Sequence, residues 1–298
     1  MGMQPSTDLL LEGVPVAGER RSFRLPRTHV PIFSGAILII FILAGIFGPL
    51  VAPHDPIRIN LAHTLMPPIF AGGSWTFPLG TDVLGRDVLS RMLGGARVSF
   101  LVAFTVVFIS GLIGLGVAVV SGYMGGAVDA VLMRLTDATL AFPLILLAIV
   151  LASIFGASTQ NVIIILAAGG WASYARVIRS EVLALKNYDF VSMAVVMGGG
   201  RGWIIGRHII PNVLSSLVVL ATLQVGAAIL SEGSLSFLGI GVPAPAPSWG
   251  GMLANGSDYM TTAWWLAVLP GVALSLTVLA SNLMGDWLRS QSDPSGRR

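Results

Sequence analysis

Four stretches of the chain run for more than twenty residues without a charge: 31–52, 98–120, 209–231 and 259–285. They are apolar on every face and lack the two-residue alternation of a barrel strand. A spanning helix needs about 20 mostly apolar residues, because ~30 Å of hydrocarbon is crossed at ~1.5 Å per residue. Each stretch therefore predicts a membrane-spanning helix. Two further runs qualify with a qualification each: 135–155, if Asp137 lies near its end, and 161–175, bounded by Ser158-Thr159-Gln160 and extendable to Arg179. Six spans are expected. The first thirty residues are polar, and Leu9-Leu10-Leu11 is cut by Glu12, too short for a signal-peptide core. That tail is expected to stay on the chain and, from its Pro, Gly and charge content, to be disordered.

Composition agrees with this reading. Of 298 residues, 54% are hydrophobic and 10% charged, against the ~25% charged of soluble domains, and mean hydropathy is +0.84. A soluble enzyme is excluded. The absence of cysteine removes disulfides, thiol catalysis and thiolate metal sites. A pI near 9.8 raises nucleic acid as a partner, but the net charge is only +3. The 17 basic residues instead sort with the spans. With the N-terminus inside, 13 lie on cytoplasmic segments and four, Arg58, Arg86, Arg91 and Arg97, outside. Both termini are then cytoplasmic, and the basic balance reports topology rather than nucleic-acid binding.

Two outside segments, 54–97 and 232–258, are rich in Pro, Gly and Trp, as in Gly72-Gly73-Ser74-Trp75 and Pro243-Ala244-Pro245-Ala246-Pro247-Ser248-Trp249. They read either as ordered turns or a re-entrant cap over a central mouth, or as interfacial packing with Trp249, Trp264 and Trp265 in the aromatic belt. The long inside segment, 176–207, is more informative. Asp189 is expected to cap a short helix ended by Gly198-Gly199-Gly200, with Phe190, Met193, Ala194 and Met197 on one face. A cytoplasmic helix with an apolar face needs a cover, and little else of the chain lies outside the bilayer. A partner protein is favoured over the membrane surface.

Other signals are weaker. The single lysine, Lys186, is not preceded by glycine, so no GxxxxGK[ST] loop exists and ATP is left to another chain. Histidines stand apart at 29, 54, 63 and 208, giving no metal cluster. There is no GxSxG elbow, and Gly239-Ile240-Gly241-Val242-Pro243-Ala244 follows no strand. Small residues four apart (Ala148, Ala152 and Gly156; Ala168 and Ala172; Gly122 and Gly126) suit close helix packing. Asp129, Arg134 and Asp137 cluster at the inner end of the third span, where Arg134 and Asp137 are expected to pair. Asp137, Gln224 inside the fifth span and Glu232 at its outer end are candidates for a substrate path or gate.

Several strings then carry a resemblance. Pro78-Leu79-Gly80-Thr81-Asp82-Val83-Leu84-Gly85-Arg86-Asp87-Val88-Leu89-Ser90-Arg91, Arg207-His208-Ile209-Ile210-Pro211-Asn212, Leu235-Ser236-Phe237-Leu238-Gly239-Ile240-Gly241 and Pro247-Ser248-Trp249-Gly250 stand in the order and context of a known family. Over about 31–294 the chain resembles the permease subunits of binding-protein-dependent ABC importers, specifically the C-type subunit of dipeptide, oligopeptide and nickel systems. The resemblance implies an all-α integral membrane protein with a MetI-like core of five helices plus one N-terminal helix. The implied division is a cytoplasmic tail 1–30, a first helix 31–53, a periplasmic segment 54–97, a core 98–289 containing a coupling loop 180–207, and a cytoplasmic tail 290–298. The loop resembles the family's EAA loop, which implies that Tyr188, Asp189, Phe190, Ser192, Met193, Ala194, Met197, Gly198, Arg207, His208, Pro211 and Asn212 meet an ATPase subunit. Ser192 and Met193 depart from the family's usual glutamate and first alanine. Gly80, Thr81, Asp82, Gly85, Arg86 and Asp87 form the periplasmic signature.

The same resemblance implies an inner-membrane, multi-pass subunit with no cofactor of its own. ATP and Mg would be bound by two cytoplasmic ABC ATPases. A B-type permease would complete the pore as a heterodimer in membrane lipid, and a periplasmic or lipid-anchored binding protein would deliver substrate. Di- or oligopeptides are the expected cargo, with nickel or another small solute as the alternative. A secondary transporter or channel would need paired broken helices or intramembrane charges in symmetric halves, and neither is visible in the sequence. A membrane-embedded enzyme would need a nucleophile–base pair or metal cluster.

Overall fold

The uncharged runs 98–120 and 209–231 fall within continuous helical stretches longer than themselves, 88–124 and 201–237. The computed structural model describes residues 31–292, so the tail 1–30 and the basic residues Arg297 and Arg298 lie outside the described residues. Helix α1 is Ile32–Val51. Helix α2, Val88–Met124, has 37 residues and starts ten positions before its uncharged run, where Asp87 accepts the backbone N–H of Ser90. At ~1.5 Å per residue α2 is about 55 Å long, well beyond the ~30 Å hydrocarbon layer. Its first turns, with Arg91 and Arg97, carry the charge the uncharged run excluded.

The third expected span is broken. Helices α3, Gly126–Ala141, and α4, Leu144–Phe155, meet at an 85° bend instead of forming one run over 135–155. Pro143 lacks an amide hydrogen and its ring disfavours a helical residue before it, and Phe142 is accordingly extended (φ −85°, ψ 127°). Gly126 and Gly156, expected as packing residues, instead sit at breaks with φ of +58° and +78°. Helix α5, Thr159–Lys186, follows. Counting the bent pair as one, the described residues contain up to six candidate spans.

A short helix α6, Asp189–Val196, leads through glycines into α7, Arg201–Ile204, and α8, Ile210–Phe237. Between the last two, Ile205–Ile209 forms a π-helical turn. Pro211 supplies the reason: in a regular helix its ring would strike the carbonyl of Arg207, and the wider turn makes room. Helices α9, Trp249–Ser257, and α10, Trp265–Ser292, complete the chain.

Helices α2 and α5 run side by side in the same direction. Gly114 permits this, since a Cβ there would lie 2.4 Å from the Tyr174 Cβ and 2.7 Å from the Trp171 carbonyl. Ala148, Ala152 and Ala172 are buried in such contacts. Helix α8 packs antiparallel to α10, with Gly226 facing Ser281 and Gly233 facing Leu274. The segments 52–87 and 238–264 share one end of the bundle, and α6 lies at the other.

The aromatic-belt reading holds for neither Trp249 nor Trp265, which are 1% and 5% exposed. Trp249 donates from Nε1 to the Met92 carbonyl at 3.0 Å and packs edge-on against Phe41 and Phe100. A tryptophan at a helix start beside Gly250, which touches Gly233, is pulled into the core by close backbone approach. Trp264 stays 40% exposed.

Candidate functional site

At the loop end, the glycine-rich string 80–87 ties itself to the bundle. The Oδ1 of Asp82 accepts from the backbone N–H groups of Leu84 and Arg86, each at 2.9 Å. Its Oδ2 pairs with Arg86 Nε at 2.7 Å and Arg91 Nε at 3.5 Å. Thr81 bridges Asp87 across the turn, accepts from the Met66 N–H at 2.8 Å, and donates to the His63 carbonyl. Asp87 accepts from the Ser90 hydroxyl at 2.5 Å and stands 3.4 Å from His54 Nδ1. The Trp265 Nε1–H reaches the Thr81 carbonyl at 3.4 Å, linking the turn to α10. Gly85, at φ +70°, leaves no room for a side chain: a Cβ would sit 1.7 Å from the Asn60 carbonyl oxygen. Gly80 also has positive φ. These six signature residues are thus brought together as a structural knot. Beside it opens a cleft of about 710 Å³ that includes Arg86, Arg91, Asn255, Asp258 and Tyr259.

At the other end, α6 is anchored on one side only. Tyr188, not Asp189, is its N-cap, and no side-chain cap bond forms; Asp189 is the first helical residue. Its carboxylate still complements the positive end of the helix. Gly198 adopts φ +84°, and the Gly199 N–H bonds the Ala194 carbonyl at 2.9 Å, closing the helix. Val191 and Ala194 are 1% and 2% exposed and pack with Ile178, Val182, Ile204 and Ile209. The expected face therefore splits: Ala194 points into the chain, while Phe190, Met193 and Met197 are exposed at 41%, 62% and 78%, with Val196 beside them at 84%. Sequence periodicity alone put four residues on one stripe because it had no knowledge of α7 and the π-turn, which cover the Ala194 side.

Around this helix the rings form a row. Tyr188 meets Phe190 edge-on, His208 lies 5.9 Å from Phe190 and 5.0 Å from Trp203. Ser192, Arg207, Pro211 and Asn212 are exposed, and Asn212 donates to the His208 carbonyl at 2.6 Å. Trp203, 55% exposed, escaped the sequence reading; its place three residues past the glycine run was the only signal. Lys186 fixes the base of the loop by donating to the Tyr123 carbonyl at 2.7 Å, over the Tyr123 ring.

The expected Arg134–Asp137 pair does not form. Asp137 takes Arg176 at 2.5 Å and Asp129 takes Arg179 at 2.5 Å, because the bend after Ala141 lays α3 across α5. Arg134, exposed on α3, takes part in neither pair. Nor does the structure gather the three path candidates. Asp137 is an exposed ion-pair member, Gln224 lines a pocket between α2, α5 and α8, and Glu232 is fully buried. Glu232 accepts from Ser99 at 2.9 Å and from Ser236 at 2.7 Å, joining α8 to α2.

Comparison with known proteins places these features. Residues 111–298 match the family described as binding-protein-dependent transport system inner membrane component. Residues 23–68 match the N-terminal TM domain of oligopeptide transport permease C. A probable D,D-dipeptide transport system permease protein of Escherichia coli K12 is 37% identical over 277 residues, covering 93% of this chain and 91% of that protein. A di/tripeptide transport system permease protein of Pseudomonas aeruginosa is 40% identical, covering 86% and 85%. A dipeptide transport system permease protein of Haemophilus influenzae is 40% identical, covering 87% and 89%.

Proposed function

The chain belongs to the family of binding-protein-dependent transport system inner membrane components, and from that premise we propose that it is one of two permease subunits of an ATP-driven importer of di- or oligopeptides. The relatives named above, which this chain matches along most of their length, are dipeptide or di/tripeptide transport permeases, which supports the peptide cargo. Both termini and α6 lie on the cytoplasmic side, and the 80–87 knot faces the periplasm, where a binding protein docks. A second, B-type permease completes the pathway.

The observation that carries the coupling role is the outward stripe Met193, Val196 and Met197 beside Trp203, on a helix whose opposite side is buried in its own chain. A compact apolar patch of this kind marks a protein contact, and burying a Met or Val side chain is worth roughly 1.5–3 kcal/mol. Two ATPase subunits, which hold ATP and Mg, take this helix and its B-type counterpart. When ATP draws them together, α6 moves as a body with the inner ends of α2 and α5, which Lys186 ties to each other and against which the Val191–Ala194 side of α6 packs. The pathway then opens toward the loaded binding protein. Linkage requires the reverse as well: a binding protein that prefers this state favours ATP closure.

To test this, Met193→Asp and Val196→Asp are introduced together and the co-expressed ATPases are counted in the purified complex. A loss of tenfold or more is expected; full retention with normal transport contradicts the assignment.

A further inference from the structure

Ser110 of α2, Ser173 and Tyr174 of α5, and Gln224 and Ser231 of α8 line a pocket of about 180 Å³. Gln224 lies midway along α8, and Ser173 is at the centre of α5. Five polar side chains, none of them charged, thus line one pocket, which reaches the middle of both helices at Ser173 and Gln224. Tyr174 is 1% exposed, and its hydroxyl has no hydrogen-bond partner among the described residues. Ser110 reaches only the Ala167 carbonyl, at 3.4 Å.

Polar groups in hydrocarbon need partners, and here the described residues leave several without one. The volume is many times the ~10–15 Å³ that one water requires, so the pocket admits a solute group. A second observation points the same way. Leu144, the first residue of α4, lines this pocket, so the break at Phe142-Pro143 falls beside it. Non-helical backbone at membrane depth is tolerated where it is buried in protein or lines a water-filled cavity.

We infer that this pocket is a station on the solute path and that it takes an uncharged hydrogen-bonding group, the peptide bond of a passing peptide. The proposal rests on the peptide-permease reading above. A peptide bond presents one donor and one acceptor. The Gln224 amide offers the complementary acceptor and donors from a single side chain, and the hydroxyls serve either role. With no charge in the lining, the pocket reads backbone and leaves the cargo's side-chain charge unread. The size suits one peptide unit rather than a whole peptide.

The wild-type chain has no cysteine, so a single introduced thiol reports one position. Gln224→Cys, Ser173→Cys and Ser231→Cys are each placed in the complete reconstituted transporter. Labelling by a charged, membrane-impermeant thiol reagent is followed during ATP turnover, with and without excess di- and trialanine. Labelling at two or more of these sites, slowed at least fivefold by the peptides, is expected. Silent thiols, or labelling indifferent to peptide, overturn the pocket and leave its lining to the partner permease or lipid. Wild-type uptake of the same peptides separates the two claims. If the wild-type complex imports none, the peptide reading falls; if it imports them while the thiols stay silent, only the pocket does.

Discussion

Asp129 and Arg179 meet through two hydrogen bonds of 2.5 Å, with Nε and Nη2 each donating to a different carboxylate oxygen. This fork clasps the first turn of α3 to α5, at the end of α3 away from the break at Pro143. The neighbouring pair, Arg176 and Asp137, shares one 2.5 Å bond, and its side chains are 55% and 65% exposed against 27% and 19% for Arg179 and Asp129. Fork geometry and partial burial make the first pair worth more than the second.

Asp129→Asn is therefore expected to lower stability by about 1–2 kcal/mol, while Asp137→Asn stays within about 0.5 kcal/mol. Thermal unfolding of the purified complex checks both. Equal effects would show that the bend, rather than the fork, holds α3 in place.

The 80–87 knot makes a sharper contrast. Gly85→Ala must place a methyl 1.7 Å from the Asn60 carbonyl oxygen at φ +70°, and a cost above about 4 kcal/mol is expected. Gly72 has φ +91° with nothing within 4 Å, so Gly72→Ala should cost only about 1–2 kcal/mol. Folded yield after membrane extraction distinguishes them.

Glu232 is the buried joint between α8 and α2. Glu232→Gln keeps the shape and an acceptor for one serine, and the other hydroxyl rotates to accept from the new amide; a loss below about 1 kcal/mol is expected. Glu232→Ala leaves a cavity and two buried hydroxyls without their acceptor, for about 2–4 kcal/mol. The thermal midpoints of the two variants check the order.

Much of this architecture is legible in the chain. The uncharged runs locate four of the spans, since charge cannot be covered in hydrocarbon, while 135–155, expected as one span, is broken at Phe142-Pro143. What periodicity missed depends on partners far away in sequence. Ala194 is buried because Ile204 and Ile209 lie over it, and Trp249 left the aromatic belt because Phe41, Met92 and Phe100 receive it. Arg134 lost Asp137 to Arg176, 39 positions on. One turn of helix suggested the first pairing, and only the 85° bend reveals the second.

The docking of α6 is the central claim, and its most direct measurement is a site-specific cross-link. Val196→Cys, on the exposed stripe, and Leu112→Cys, on the exposed mid-length of α2, are each coupled to a short bifunctional reagent in membranes that contain the whole transporter. A cross-link to an ATPase subunit from position 196, with none from position 112, is the expected result. No ATPase product from 196, or equal products from both positions, would contradict it.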